Sequence, residues 1–379
     1  MRILHLLGQN QDIGGVLSVI RNLQRATVCK NWTHVVWVNH SFKETRQPAL
    51  SYRFSRHICS DSPNHLLILI QALRAFFEFK RLLAQEAFDV LHAHTRGTLL
   101  VGLLALKWLG RQVVYTNHSF SRRIRLYRWC AAQHGMYTIV LTPNMARHYD
   151  LNVQPPKFNI ISECCADEFF EEPFVSPPVP GTAHRRLRLV GVGNIVRWKN
   201  WHLVLEALRQ LDLDQRERIQ FSQWGPTAND PDSIRYEQEL GAIIEHHDLG
   251  KCAFFRGSSN SIDDCLRAGD WFVLPSTNEA CSVALIEGLA LGLPALVSAS
   301  GGSVDIIANG KNGLLFAPEN SADLAAKLRS IVAGETVLLH PAEIRETVRS
   351  RSASVVASEY EKLYRSLLQR APVDLVTQT

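Results

Sequence analysis

The 379-residue chain is expected to be an α/β protein of two doubly wound domains, each a parallel sheet with helices on both faces. Three observations predict this. Short apolar β-type runs alternate with helical patterns through both halves, the pattern of parallel strands joined by helical crossovers. The length exceeds what one hydrophobic core usually serves. Near mid-chain, residues 171–183 (Glu-Glu-Pro-Phe-Val-Ser-Pro-Pro-Val-Pro-Gly-Thr-Ala) hold four prolines and a glycine, which neither a helix nor a central strand accepts. Residues 1–170 therefore read as one domain, 171–183 as a linker and 184–350 as a second domain, followed by a C-terminal segment 351–379.

In the first half the expected strands are Ile3–Leu7, His34–Val38, Val90–Ala93, Val113–Thr116, Ile139–Thr142 and Asn159–Ile161. Helical patterns fall between them, at Val16–Ala26, Leu66–Leu83 and Thr98–Leu109. In the second half the strands are Leu187–Gly193, Ile219–Ser222, Ala253–Arg256, Trp271–Pro275, Ala295–Ser298 and Leu314–Phe316, again separated by helices such as Trp201–Leu208. Two such domains put a cleft between their sheets, and ligands of open α/β sheets bind beyond the carboxyl ends of the strands.

Composition narrows the function classes. A hydrophobic fraction of 46% and a charged fraction of 20% exclude a disordered or fibrous chain. The eight cysteines are too sparse for a disulfide scaffold, form no Cys-x-x-Cys and include the adjacent Cys164 and Cys165, so they read as reduced thiols of a cytosolic protein. The apolar run Leu99–Leu106 stops at Lys107, too short to span a membrane, and the N-terminus reads as a first strand rather than a signal peptide. The formal charge is +8 over residues 1–180 and −3 over 181–379, and residues 1–150 alone hold 19 Lys/Arg against 7 Asp/Glu. That balance fits either an anionic partner for the first domain or a solvated basic surface.

Several local patterns carry chemistry. Trp271–Ser276 is a strand entering the loop Thr277-Asn278-Glu279-Ala280-Cys281-Ser282, and a helix follows through Leu291. Backbone N–H groups from Ala280 to Val283, at a helix N-terminus, suit a phosphate. Glu279 and Glu287 suit sugar hydroxyls; alternatively both are solvated acids. Gly191-x-Gly193 is half of a dinucleotide fingerprint, but Val196 stands where the third glycine belongs. Asp12-Ile13-Gly14-Gly15-Val16 follows the first strand and suits either a close ligand approach or an ordinary turn. His118 stands at the carboxyl end of a strand, as do His92 and His94. The His-x-His pair has no acidic third ligand nearby, so no metal site is expected. Arg122, Arg123, Arg125 and Arg128, interleaved with apolar residues and Trp129, suit phosphate or a lipid interface. No nucleic-acid-binding module is recognisable.

The ordered set Leu274-Pro-Ser, Glu279-x(7)-Glu287, Gly288-Leu-Ala-Leu-Gly-Leu-Pro294, Gly301-Gly302-Ser303 and Asn309-Gly310-Lys311-Asn312-Gly313 resembles the signature of retaining glycosyltransferases of family 4, with the GT-B fold of two Rossmann-like domains. The resemblance implies a nucleotide diphosphate sugar as donor, a sugar or lipid-linked acceptor, no metal and no further cofactor. Glu287 then binds the nucleotide ribose, and Glu279 lies near the donor sugar and its phosphate. Ala280, Cys281 and Ser282 contact diphosphate and sugar, Gly15 is a donor contact of the first domain, and His118 lies near the reacting carbon. Lys199 matches the family's diphosphate-binding lysine. Asn194 replaces the arginine usual after Gly193, which leaves Arg197 as a candidate for the missing charge. The family's usual Asn-Gly-Val-Asp before the linker is here Glu163-Cys164-Cys165-Ala166. The C-terminal helix Val355–Gln369 resembles the one that crosses back to the first domain. Relatives that act on lipid carriers imply a place at the inner face of the cytoplasmic membrane. Competing readings are a GT-B nucleotide-sugar epimerase or phosphorylase, a non-catalytic nucleotide-sugar-binding protein, and, weakest, a nicotinamide dehydrogenase.

Overall fold

The computed structural model describes residues 1–12, 14–46, 48–61, 64–171, 186–259 and 261–369. It divides into two units, Met1–Cys164 with the helix Ala353–Leu368, and Cys165–Ser352. The first contains β1 (Arg2–Leu6), β2 (Thr33–Asn39), β3 (Ser51–Ser55), β4 (Val90–Ala93), β5 (Val113–Asn117), β6 (Met136–Val140) and β7 (Phe158–Ile160), in the sheet order β3-β2-β1-β4-β5-β6-β7. The second contains β8 (Leu187–Val192), β9 (Ile219–Trp224), β10 (Ala253–Phe255), β11 (Trp271–Leu274), β12 (Ala295–Ser298) and β13 (Gly313–Phe316), in the order β10-β9-β8-β11-β12-β13. Both sheets are parallel. In each, the order reverses beside the first strand, between β1 and β4 and between β8 and β11. That reversal opens a crevice at the strands' carboxyl ends.

The inner strands β4, β5, β6, β11 and β12 are buried along their whole length, which is why they read as continuous apolar runs. β3 is absent from the sequence expectation because Ser-Tyr-Arg-Phe-Ser is an edge strand with an exposed, mixed face. β6 begins and ends earlier than expected. Thr142 does not continue it; its side chain instead accepts from the Met145 N–H and caps the helix Pro143–His148. In the second unit Trp201, Phe221, Leu189, Val273, Leu296 and Phe316 share one core.

The changeover between units falls at Cys164–Cys165. There the Cys165 N–H donates to the Arg351 carbonyl at 3.2 Å and Cys165 bridges to Ser352, so the two ends of the second unit run side by side. Of the proline-rich stretch 171–183, only Glu171 is among the described residues; it ends the short helix Glu168–Glu171. All eight cysteines are free thiols. Among the described residues no helix is long and apolar enough to cross a membrane.

Candidate active site

In the second unit, β8 leads through Gly193 into a short turn, Arg197–Lys199, and then the helix His202–Arg209. The two glycines of Gly191-x-Gly193 serve packing here. A Cβ on Gly191 would stand 2.7 Å from the ring of the fully buried Trp201, and one on Gly193 would stand 3.1 Å from Lys199 Cε. The first opening seats the indole, whose Nε1 donates to the Asn194 carbonyl at 3.0 Å. The second lets the lysine fold back against the strand end. Lys199 is thereby buried, with its ammonium 2.6 Å from Glu279 Oε2 and over the Trp198 ring at 4.7 Å.

Glu279 is itself held from the backbone side. The Gly302 N–H donates to its carbonyl at 2.8 Å, and Gly301, at φ +57°, lies so close that a Cβ would meet that carbonyl at 2.2 Å. This explains the glycine at 301, just after β12: no side chain fits there. The Thr277 N–H donates to the Trp198 carbonyl at 3.0 Å and ties the Glu279 loop to the Lys199 turn. Ala280, Cys281 and Ser282 are buried, and Ser282 caps the helix Val283–Ala290 by accepting from the Leu285 N–H. Glu287 is half-buried on that helix, near Cys165, whose thiol is pushed up by burial and then by the Glu287 charge. Gly288 on the same helix faces Phe272, where a Cβ would find ordinary contact at 3.4 Å. Gly288→Ala should therefore raise stability by about 0.4–1 kcal/mol, read from urea unfolding. No gain would mean that the close face against Phe272 does not accept the methyl.

Arg197, expected as a possible substitute for the arginine lost at Asn194, is engaged elsewhere. It is half-exposed, makes two hydrogen bonds to Glu239 at 2.9 and 3.0 Å, lies 3.6 Å from Asp232 and stacks on Tyr236 at 5.0 Å. The structure thus gathers Lys199, Glu279 and the helix bearing Glu287, and turns Arg197 to the helix Pro231–His246. The chain's two Asp-x-Asp stretches, Asp212-Leu213-Asp214 and Asp230-Pro231-Asp232, are helix starts: Asp212 caps Leu213–Glu217 and Asp230 caps Pro231–His246.

In the first unit, Gly15 opens the helix Gly15–Thr27 after Gly14 at φ +91°. The loop is anchored by Asp12, whose carboxylate takes two hydrogen bonds from Arg21, at 2.9 and 2.7 Å, and the N–H groups of Thr45 and Arg46 at 2.9 Å. Burial alone would raise the Asp12 carboxyl, but these hydrogen bonds and the Arg21 charge hold it below the usual carboxylate range.

His118 follows β5 and is more enclosed than its position suggested. Its Nδ1 lies 2.8 Å from Glu163 Oε1 and its Nε2 lies 3.1 Å from His94 Nδ1. The row continues across the sheet: His94 Nε2 to His5 Nδ1 at 2.9 Å, His5 Nε2 to His34 Nδ1 at 2.9 Å, and His34 Nε2 to Thr27 Oγ1 at 3.0 Å. His92 sits beside it, bonded to the Tyr364 hydroxyl and Thr116 Oγ1, both at 2.7 Å. The His-x-His pair thus gains a third histidine, His5, with ring nitrogens within 4.8 Å of one another, yet each of the six nitrogens has a hydrogen-bond partner. Burial pushes His5, His92 and His94 well below the ordinary histidine value and His34 down to about 4, so these four are neutral imidazoles at neutral pH. His5, His34 and Glu163 are absent from the sequence-derived site. The signal available was polar residues inside otherwise apolar β runs, which only strand register assembles: His5 pairs with His92 across β1 and β4, and Ile3 with His34 across β1 and β2.

Arg122, Arg123, Arg125, Arg128 and Trp129 are exposed on and before the helix Ile124–Ala132, and Arg128 pairs with Asp150 at 2.9 Å. Of the aromatics in the helix His65–Gln85, Phe76 and Phe79 are core residues. Phe77 is exposed, as are Leu66, Leu67, Leu69 and Ile70 of that helix and Trp108 of the helix Arg96–Leu109.

Two parallel α/β sheets of this order, the second carrying a Lys–Glu pair beside a capped helix, define the class of fold and site. Residues 177–362 match the family of glycosyl transferases group 1 and residues 13–163 match glycosyltransferase family 4, together most of the chain. The chain belongs to this glycosyltransferase family, has the GT-B fold, and is a glycosyltransferase. It is similar to the sulfoquinovosyl transferase of Arabidopsis thaliana (26% identical, over 69% of this chain and 51% of that protein). It is also similar to an Escherichia coli UDP-Gal:α-D-GlcNAc-diphosphoundecaprenol α-1,3-galactosyltransferase (25%, over 65% and 67%). The match thus spans about half the length of the plant protein. Among solved structures, sucrose-phosphate synthase of Thermosynechococcus elongatus shares the fold with a TM-score of 0.78 at 18% identity, covering 97% of this chain and 98% of that one. An Anabaena protein solved with UDP does so at 0.75 and 16%, covering 97% and 100%.

Proposed function

We propose that the protein moves a hexose-type sugar from a nucleotide diphosphate sugar to a hydroxyl of a sugar or lipid-linked acceptor, with retention of configuration and without a metal or further cofactor. The observation that carries this reading is the buried Lys199–Glu279 pair held beside the helix that bears Glu287. Lys199 neutralises the leaving diphosphate, an electrostatic contribution that is usually the largest a protein makes to such a reaction. Backbone N–H groups at Ala280–Ser282 assist it, Glu279 orients the sugar, and Glu287 takes the ribose hydroxyls. Gly15 and His118 serve from the first unit. Relatives named for transfer onto a diphosphoundecaprenol-linked sugar support a lipid-linked acceptor and a role in glycolipid or polysaccharide synthesis.

The test is a panel of nucleotide sugars assayed for binding and slow hydrolysis. Glu287→Ala should weaken the preferred donor by about 1–3 kcal/mol through lost hydrogen bonds. Calorimetry giving equal affinity for wild type and variant would remove Glu287 from the site. Turnover of the donor to an epimer without acceptor would replace transfer by epimerisation, and binding with no hydrolysis or transfer would favour a non-catalytic binding protein.

The same reading places the protein in the cytoplasm, peripheral on an anionic membrane. Support comes from the exposed arginines of 122–128 with Trp129, and from the apolar face of helix His65–Gln85 with Trp108. Each surface cation contributes about 1 kcal/mol to binding anionic lipid. Sedimentation with anionic vesicles should fall on changing Arg122, Arg123, Arg125 and Arg128 to Ser, and with added salt. Equal partition to neutral and anionic vesicles at low salt would favour a soluble acceptor.

A further inference from the structure

The buried histidine row holds one more hydrogen bond than its four imidazoles, each neutral, can fill by themselves. Five bonds join Thr27, His34, His5, His94, His118 and Glu163 in sequence. Each needs one hydrogen, and a neutral imidazole supplies one N–H, so the four histidines supply four. The fifth comes either from the Thr27 hydroxyl or from an added proton. Thr27 Oγ1 lies 2.7 Å from the Leu23 carbonyl and 3.0 Å from His34 Nε2. A carbonyl only accepts, so the hydroxyl hydrogen goes to Leu23, one turn back along the helix, and Thr27 accepts from His34.

The direction of every other bond follows. His34 donates from Nε2 and accepts at Nδ1 from His5 Nε2–H. His5 accepts at Nδ1 from His94 Nε2–H, and His94 accepts at Nδ1 from His118 Nε2–H. At the far end the Glu163 carboxylate only accepts, so it takes its hydrogen from His118 Nδ1. Both ring nitrogens of His118 then carry hydrogen. We propose that Glu163 and the buried row hold one surplus proton on His118, so that it stands at the end of β5 as an imidazolium, with Glu163 as the positioning residue that keeps it there.

The balance is simple. The fully neutral row has Thr27 turned to donate to His34, with each N–H pointing toward Glu163. Uptake of one proton from water at the His34 end shifts one hydrogen across each of the three intervening bonds, and the added charge emerges on His118. Nothing is oxidised and no other bond is made. The groups facing the pair among the described residues are His92 of β4, His94 just after it and, from the helix Ala353–Leu368, Tyr360, which senses the Glu163 charge. Burial keeps Tyr360 and both histidines uncharged, so the one carboxylate opposite His118 is Glu163. Glu163 also stands where the family resemblance expects an uncharged asparagine, which makes the pairing a feature of this chain.

The consequence rests on the proposed reading of His118 as a residue of the reaction. With both nitrogens protonated and turned inward, His118 is not the base for the acceptor hydroxyl. Its contribution is a fixed positive charge, and the hydroxyl proton leaves with a phosphate oxygen of the donor.

Long-range ¹H–¹⁵N spectra of the histidine-labelled full chain, without substrate and at neutral pH, test the assignment, with His118→Asn identifying the His118 signals. Both His118 nitrogens should appear protonated in the wild type, and one should lose its hydrogen in Glu163→Gln. A wild-type His118 with one bare nitrogen would overturn the proposal, and so would a Glu163→Gln spectrum unchanged from wild type. Stoichiometric zinc in the purified protein would also overturn it, because the ring nitrogens would then be metal ligands. The wild-type spectrum decides the first point even if a variant fails to fold. Nucleotide-sugar binding by the wild type, measured separately, tests the reading underneath: its failure would remove the catalytic consequence and leave the proton assignment standing.

Discussion

Replacing Lys199 by alanine is expected to lower kcat/KM by about 10²–10³, the loss typical of removing one group that stabilises developing charge. Two effects add. The leaving diphosphate loses its nearest proposed cation, and Glu279, 2.6 Å from the missing ammonium and largely buried, is left as an uncompensated carboxylate facing an anionic substrate. Lys199→Arg should lose less, because charge is kept although the pocket against Gly193 is cut for a lysine stem. The double variant Lys199→Ala/Glu279→Gln separates the two effects. If repulsion by Glu279 matters, donor affinity should recover part of the way toward wild type, a coupling that a double-mutant cycle reads directly. Donor affinity and turnover unchanged in Lys199→Ala would take the lysine out of the site. Arg197→Ala, by contrast, should change donor affinity little, since its guanidinium already serves Glu239 and Asp232.

The largest stability effect is expected at Asp12. Asp12→Ala should destabilise the first unit by about 3–5 kcal/mol, because it leaves the Arg21 guanidinium buried without its bidentate partner. The Thr45 and Arg46 N–H groups also lose their acceptor. The pH dependence has a definite sign. The Asp12 carboxyl is held below its unfolded value, so its contribution is present above that value, near the usual carboxylate range, and is lost as pH falls through the folded one. Wild-type stability should therefore decline into acid with a component that Asp12→Ala lacks. Urea unfolding at neutral and acid pH gives both numbers. A loss under 1 kcal/mol at neutral pH would mean that Arg21 finds water or Glu44 as a substitute partner.

The sequence by itself determined the alternation of strands and helices, the division into two parallel-sheet units and the ordered motif around Glu279 and Glu287. The reason is local. Buried parallel strands must be apolar on both faces, and a loop that turns tightly onto a neighbour's backbone needs glycine, as Gly301 does against the Glu279 carbonyl. What the tertiary structure decided was which charges meet. Arg197 and Lys199 are two residues apart, yet one turns to Glu239 and the other to Glu279, 42 and 80 residues away. Gly191-x-Gly193 looked like part of a nucleotide fingerprint, and the fold uses it to seat Trp201 and Lys199. The histidine row is the clearest case. Thr27, His34, His5, His94, His118 and Glu163 come from six places in the chain and share no spacing. Parallel register sets their rings side by side, and burial then requires each ring nitrogen to find a partner.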